Sequence, residues 1–444
     1  MLRRYAGGMS TNTPSPRPII SEEFPNKTLV ETLYDADAER TMLAICRPDG
    51  TVTTAPDFIY GENSQIVPYS PQNGLLKSGC LLLPSHVGNF TSKEDLLADI
   101  RAYFHQYVDL SLGFEEIAAH YVLLTWVYDA FNELPYLRWR GDYGTGKSRA
   151  LLTVGSICYK PFLASGASTV SPIFHILDAT GGTLILDEAD FRFSDATAEI
   201  VKILNNGNQR GMPVLRTMAN RHRELSPQAF RIYGPKLVGM RESYADRALE
   251  SRFLTEETGR RPLRPNIPIY TPASLATDAL ALRNRLLAWR FHARFRVGPD
   301  PRRAVTGIEP RFNQTALALL SLVDDEQARA RIGAELMEQA TRAQEERAST
   351  SDALMLQALV EAFAATNMPH VPVKDIAHRF NRLTADDFDR SLTPKAIGHF
   401  IRTRLRLPTK KTNGLYTVHI EALPQIAALA KRYGVNIAVL NKAA

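Results

Sequence analysis

Apolar positions along this chain recur with two periods, and the change from one to the other marks its regions. From Thr28 to about Gly88 the runs are short and strand-like. Thr41-Met-Leu-Ala-Ile-Cys46 stops at the turn sequence Pro48-Asp49-Gly50, and Leu76 to Pro84 reads as a further strand. From Ser92 the period lengthens. Lys93-Glu94-Asp95 opens a helix with Leu96, Leu97, Ile100 and Phe104 on one face, and Phe114 to Phe131 is helical and apolar enough to be buried on most sides, ending at Pro135. Tyr136 to Arg140 is a short strand running into a glycine-rich loop. Between Pro161 and about Met240, compact apolar runs alternate with helical ones, the layout of a mostly parallel α/β sheet. Further helices are expected from Pro272 to Phe295, with proline suited to the first turn, from Asn313 to Leu322 and from Asp324 to Glu346.

The last hundred residues repeat the helical period on a smaller scale. Leu354 to Phe363 and Val373 to Phe380 read as helices. Thr393 caps a third, with Pro394 at its first position and Ile397, Phe400, Ile401 and Leu405 along it. Asn413-Gly414 then marks a hairpin turn. Ser10 to Asn26 is rich in Pro, Ser and Thr and reads as a flexible leader. The expected layout is a leader over 1–27, a small β-rich accessory region over 28–90, an α/β core over 91–270, a helical lid and linker over 271–350, and a separate domain over 351–444.

Composition narrows the class. The chain has 444 residues, 44% hydrophobic and 23% charged, which excludes a wholly disordered, collagen-like or membrane-embedded protein. No run approaches the roughly 20 apolar residues that cross a bilayer. Cys46, Cys80 and Cys158 make neither a disulfide framework nor a zinc pair, so a reducing, cytoplasmic setting is expected. The net charge of +6 favours a polyanionic partner, and the placement of the arginines and lysines matters more than their number.

The glycine-rich loop carries the clearest chemistry. Gly141-Asp142-Tyr143-Gly144-Thr145-Gly146-Lys147-Ser148 matches the complete phosphate-loop pattern, after a strand and before an apolar helix. Gly141, Gly144 and Gly146 let backbone N–H groups turn inward around phosphate oxygens, with Thr145 and Arg149 completing the nucleotide-binding set. Lys147 is placed to reach the β- and γ-phosphates, Ser148 to ligate magnesium, and the helix adds the positive end of its dipole. The expected ligands are therefore ATP and Mg2+. Forty residues beyond Lys147, the buried-strand run Gly182 to Glu188 ends in two acids. Asp187 is placed to support magnesium and Glu188 to polarise an attacking water. Asp187-Glu188-Ala189-Asp190 also spells the name of a helicase class, but that class's other signatures are not evident.

Past Asp195, a helix ends at Asn205-Asn206-Gly207-Asn208. Arg216, Arg221 and Arg223 then flank a hairpin or loop that either touches a nucleic-acid backbone or is a solvated basic surface. Next comes Tyr244-Ala-Asp-Arg-Ala-Leu-Glu-Ser-Arg-Phe253, which resembles the Asp-x-Ala-Leu-x-Ser-Arg-Phe segment of AAA+ ATPases, including the minichromosome maintenance helicases. The resemblance implies that Arg252, or Arg247 as second choice, reaches a neighbouring subunit's nucleotide. It also implies a polar water-positioning residue at the end of the preceding strand. Met240 and Arg241 stand there instead, and Asn205, Asn206 and Asn208 do not obviously replace it.

In the final domain the third helix carries Lys395, His399, Arg402, Arg404 and Arg406, and Lys410-Lys411 lead into the hairpin. Helix, helix, basic helix and hairpin resemble a winged-helix module, with Lys395, Arg402, Lys410 and Lys411 as candidate DNA contacts; a protein-docking domain is the alternative. The whole arrangement, over about 95–430, resembles AAA+-type P-loop ATPases of phages and mobile elements described as primase-helicase-like. That implies a homo-oligomer, possibly a hexamer, acting on DNA. No primase constellation is evident, so any primase is a separate protein. The expected activity is ATP hydrolysis coupled to DNA binding or remodelling, helicase-like. The alternatives are a DNA-bound switch that unwinds nothing and a nucleotide-dependent scaffold.

Overall fold

The computed structural model describes residues 16–61, 64–165, 168–187, 195–219, 225–244, 246–348, 350–384, 391–412 and 414–437. The chain divides into two compact units, Met1–Leu336 and Met337–Ala444. The division falls inside the helix Glu326–Ala348; Thr350 caps the next helix by accepting from the backbone N–H of Ala353.

The centre of the first unit is a five-stranded, wholly parallel sheet made of β1 (Tyr136–Arg140), β2 (Phe162–Ser165), β3 (Leu184–Asp187), β4 (Lys236–Met240) and β5 (Phe253–Glu257). Their spatial order is β5-β1-β4-β3-β2. In register, Phe253 lies beside Tyr136, Met240 beside Arg140 and Leu186 beside Val238, so all five strands end at one edge of the sheet. Strands buried on two faces need near-continuous apolar sequence. β1 and β4 meet that need in part with large buried groups, Trp139 and Tyr136 among them. The helix Lys147–Ser156 packs closely on the sheet at Gly155, where a side chain would collide with Ile185. The helix Leu112–Trp126 is buried around its whole circumference, as its uniform apolarity requires, and joins the helices Lys93–Tyr107 and Ser274–Ala293 in one core.

The amino-terminal part departs from expectation in two places. Arg17–Ile19 and Ser21–Glu23 are strands, and Ile19, Ile20 and Phe24 are buried, so the expected leader already belongs to the fold from residue 17. Three isolated apolar residues among prolines and serines gave too weak a period to read. Leu76 to Pro84 is not a strand: Gly74–Lys77 is a helical turn, and only Leu81 makes a bridge, to Phe162. Leu76, Leu81 and Leu83 are buried against the core. This β-rich part forms a four-stranded antiparallel sheet and a three-stranded one. It is not a separate compact unit. Glu31, buried, accepts from Tyr159 Oη at 2.6 Å and Arg290 Nε at 2.7 Å, and Arg290 also grips Asp129. Burial pulls the neighbouring Lys160 ammonium down to about 8.

The second unit runs helix Ser351–Ala364, strand His370–Pro372, helices Val373–Leu383 and Pro394–Thr403, then a hairpin of Lys410–Thr412 and Leu415–His419, and helix Leu423–Arg432. The first strand pairs with the second hairpin strand, closing a three-stranded sheet over the helices. Thr393 accepts from Ala396 N, with Pro394 in the first turn.

Candidate functional site

Because β1 ends at Arg140, the phosphate-type loop leaves the carboxyl edge of the sheet. Gly144 and Gly146 have φ of 75° and 87°, left-handed values that glycine reaches without strain. A Cβ at either would meet nothing within 4 Å. Gly146 is also the N-cap of Lys147–Ser156, and the first N–H groups of that helix have no partner within the helix. Lys147 Nζ donates to Asp142 O at 2.6 Å, curled over the loop. Ser148 is exposed at the helix start. Arg149 donates to the carbonyls of Pro268 and Ile269, the latter at 2.6 Å, which fastens the segment after β5 beside the loop.

A residue the sequence did not single out braces the loop from the other side. Thr258, immediately after β5, donates from its N–H to Arg140 O at 2.7 Å, and its Oγ1 lies 2.7 Å from Thr145 Oγ1. Thr145 in turn donates to Asp142 O at 2.8 Å. The two ends of the parallel pair β1 and β5 therefore hold the loop between them.

Asp187 is the last residue of β3, at the same edge, two strands from β1. The intervening strand offers Gly239 there, and any Cβ at that position would stand 3.0 Å from Asp187 Oδ1. The glycine lets the carboxylate and the Leu151 side chain pack close against β4. Glu188 lies outside the described residues. Met240 ends β4 with 3% exposure, an apolar group where the resemblance calls for a polar one. Arg241, next in the chain, is exposed and lies with its guanidinium 5.9 Å from the centre of the Tyr143 ring.

Arg252 sits at the opposite edge, one residue before β5. A five-residue strand is about 16 Å long, so Arg252 is remote from the phosphate-type loop of its own chain. It is half-buried, and burial lowers its affinity for its proton. Arg252 Nε donates to Asn208 Oδ1 at 2.9 Å, and Nη1 donates to Asn205 Oδ1 at 2.8 Å and Ala248 O at 2.6 Å. It does not pair with Glu250, whose carboxylate takes a bidentate bond from Arg138 at 2.6 and 2.7 Å. Arg247 is exposed on the helical turn Arg247–Glu250. Asn205 and Asn208 thus belong to the Arg252 edge, not to the loop edge. No sequence signal linked them, since the contacts span more than forty residues.

The basic residues fall in two places. Val214–Ala219 and Leu225–Phe230 form an antiparallel hairpin between β3 and β4. Arg216 is turned onto the unit's own core, salt-bridged to Glu199 and 3.9 Å from the Phe174 ring centre. Arg221 and Arg223 lie outside the described residues. The hairpin exposes Leu215 and Leu225 by 70% and 74%. In the second unit, Lys395 and Lys411 are exposed, Arg402 is exposed and donates to Thr409 Oγ1 at 3.0 Å, and Lys410 pairs with Glu421 at 2.7 Å.

Among the described residues no group of three or more His, Cys, Asp or Glu side chains is arranged to hold a metal, and no helix is long and apolar enough to cross a membrane. Magnesium at a phosphate-type loop needs no such cage, because water and phosphate supply most of its ligands.

No family model and no curated protein sequence matches the chain. Among solved structures, it is similar to the C-terminal region of NrS-1 (12% identity, TM-score 0.37, covering 88% of this chain and 96% of that one) and to the SCCmec type IV Cch helicase (12%, 0.42, 92% and 80%). A more distant likeness is to the JCV helicase (15%, 0.24, 57% and 60%). At TM-scores below 0.5 these likenesses bear no weight here. What the chain itself displays is a mixed α/β core with a parallel sheet and peripheral helical and β elements.

Proposed function

We propose that this chain is an AAA+-like P-loop ATPase that couples ATP hydrolysis to binding or remodelling DNA, acting as a homo-oligomer in the manner of a helicase-like ATPase of a phage or mobile element. The observation that carries the reading is the shared edge. The phosphate-type loop follows β1 and Asp187 ends β3 at the same edge, on either side of β4, and this is the edge at which open parallel sheets bind ligands. The left-handed glycines at 144 and 146 would let the loop's backbone N–H groups turn toward a triphosphate, and Asp187 ends its strand at the edge where one magnesium ion would sit.

In this reading Lys147 releases Asp142 O and turns to the phosphates, the loop and helix N–H groups bind their oxygens, and Ser148 and Asp187 orient the metal. Magnesium neutralises charge on the phosphate oxygens when bound. Glu188 accepts the proton of the attacking water. Arg252, too remote to serve its own chain, meets the charge that develops on a neighbouring subunit's γ-phosphate. The second unit is read as a winged-helix module, with Lys395, Arg402 and Lys411 on phosphate. Lys410, already paired with Glu421, has less to offer. The hairpin turn with Arg221 and Arg223 is a second DNA contact; Arg216 braces its base.

The test is steady-state ATP hydrolysis without DNA and with single- or double-stranded DNA, using Lys147→Ala as the blank. Stimulation by DNA that is absent in Lys147→Ala is the expected result. DNA-independent turnover moves the assignment to a switch or scaffold, and turnover that survives in Lys147→Ala overturns it. Glu188→Gln should abolish turnover while sparing nucleotide binding; unchanged turnover would remove Glu188 as the base.

A further inference from the structure

Five arginines near the core of the first unit pair directly with carboxylates: Arg138 with Glu250, Arg140 with Glu257, Arg264 with Asp109, and Arg290 and Arg294 with Asp129. Arg252 does not. Among the described residues it has no carboxylate within 4.0 Å, although two lie one side chain away. Asn205 Oδ1 accepts from Arg252, while Asn205 Nδ2 donates to Asp246 Oδ2 at 2.9 Å. Asn208 Oδ1 accepts from Arg252, while Asn208 Nδ2 donates to Glu133 Oε1 at 3.3 Å. Each asparagine therefore stands between the guanidinium and an acid, satisfying both and joining neither. Asn208 is itself buried, with 4% exposure.

A half-buried cation held by neutral acceptors keeps its charge and lacks a counter-ion. Desolvating it is costly, and here burial outweighs the nearby charges in lowering its proton affinity. A second cation crowds the same spot: Arg311 Nη2 reaches Ala248 O, the carbonyl that also holds Arg252, at 3.5 Å. An anion arriving from outside the chain would recover that cost.

We infer that Asn205 and Asn208 are positioning residues that insulate Arg252 from Asp246 and Glu133, keeping its charge available to a polyphosphate presented by a second copy of this chain. The inference rests on the reading of Arg252 as a trans-acting group. It adds a physical link. The helix Asp195–Asn206 begins eight residues after Asp187 and ends at Asn205 and Asn206, so the strand bearing the magnesium-side acid leads by one short connection to the seat of Arg252. Loss of Asn205 lets Arg252 collapse onto Asp246, which neutralises it and draws it inward.

The experiment is steady-state ATP hydrolysis by the full chain carrying Arg252→Ala, Asn205→Ala, or Asn205→Ala with Asp246→Asn. Asn205→Ala should lower kcat about 10-fold to 100-fold with little change in KM, as a misplaced group does. Asp246→Asn keeps the N-cap of the turn that bears Arg252, removes the quenching charge, and should return most of the lost rate. Mixing Asn205→Ala subunits with Lys147→Ala subunits should also restore turnover, because the second kind lends an intact Arg252. If Arg252→Ala is inactive but Asn205→Ala is unaffected, or its loss is not rescued by Asp246→Asn, insulation is wrong and the trans-acting arginine stands. If Arg252→Ala is fully active, the underlying reading fails as well.

Discussion

The two edges of the central sheet are built on opposite principles. At the carboxyl edge, the loop turns through left-handed glycines at 144 and 146, where a Cβ would meet nothing within 4 Å. At the amino edge, Arg252 is held by Asn205 and Asn208, Lys236 Nζ is held by the carbonyls of Gly207, Ile232 and Gly234, and a Cβ at Gly207 would collide with that lysine. In the proposed reading, one edge receives a ligand and the other holds a group in a fixed pose. The lesson is that a charged side chain's role is read from what satisfies it. In the proposed reading the lysine resting on a loop carbonyl must change partners to act, whereas the arginine clamped by neutral amides is already held in place.

The largest effect expected from breaking this contrast is on turnover. Lys147→Ala at the open edge and Arg252→Ala at the closed edge should each reduce ATP hydrolysis by about 10³-fold or more, the range in which a trans-acting arginine operates. They should differ in nucleotide affinity. A fluorescent ATP analogue should bind poorly to Lys147→Ala and nearly normally to Arg252→Ala, because the latter leaves its own loop intact. Equal loss of binding in the two variants would erase the division of labour between the edges.

Stability should separate the arginines in the opposite sense. Arg138 is buried between the edges, bidentate to Glu250, with Thr255 Oγ1 at 3.1 Å and the Phe253 ring centre 4.6 Å away. Glu250→Ala strands that guanidinium and should cost about 3 kcal/mol of unfolding free energy, the low end for a broken buried pair because Glu250 keeps some exposure. Arg252→Ala, whose partners are neutral, should cost less. Urea denaturation of the two variants measures the difference, and an equal cost would mean that Arg252 is a structural brace.

Local features of both edges were legible in sequence, and long-range ones were not. The phosphate-type loop, β1 before it and the helix after it are contiguous, so the order of glycines, lysine and apolar residues is enough to specify them. Asp187 could be read because a buried strand ending in acids is itself a local pattern. The seat of Arg252 joins residues 205, 208 and 252, and an asparagine at a helix end carries no mark of its distant partner. Thr258 was invisible for the same reason, as was the tie from Glu31 to Arg290 that draws the β-rich region into the first unit. Strand character at Arg17–Ile19 was missed because three residues are too few to show a period, and Leu76 to Pro84 was misread because an apolar run can be buried with no more than the single bridge from Leu81.

The closed edge also has a proton signature. Lys236 is fully buried, and its Nζ donates to the carbonyls of Ile232, Gly234 and Gly207 at 2.9, 2.9 and 3.1 Å, with no carboxylate among these partners. Burial pushes its ammonium down to about 7. The unfolded lysine keeps its proton up to about 10.4. Between those values the unfolded state binds more protons, so stability rises with pH, at up to about 1.4 kcal/mol per pH unit from this one group. Above about 10 the slope should reverse, since the buried Tyr121, Tyr136 and Tyr159 hydroxyls resist ionisation when folded. Thermal unfolding followed from pH 7 to 9 should show the rise, and Lys236→Met should flatten it. An unchanged slope in that variant would assign the effect elsewhere, Lys160 being the next candidate.

The smallest effects come from one methyl group placed at each edge. A Cβ at Gly207 would stand 2.4 Å from Lys236 Nζ and 2.6 Å from the carbonyls of Ile203 and Ile232, so Gly207→Ala must displace the lysine or the backbone that it binds. Overpacking of that kind costs about 1–3 kcal/mol. Gly146→Ala meets no atom within 4 Å, but its φ of 87° is left-handed, where alanine costs about 1–2 kcal/mol. The two penalties are similar in size and should appear in different measurements. The Gly207 variant should lower the unfolding midpoint and leave ATP affinity alone, because nothing near the loop has moved. The Gly146 loop can relieve its strain by turning locally to negative φ, which spares stability and rotates the N–H groups away from the phosphates. Its loss should therefore fall on ATP affinity, at roughly 10-fold for each 1.4 kcal/mol. If Gly146→Ala instead lowered the unfolding midpoint and bound ATP normally, the open edge would be a structural turn, and the contrast between the edges would collapse.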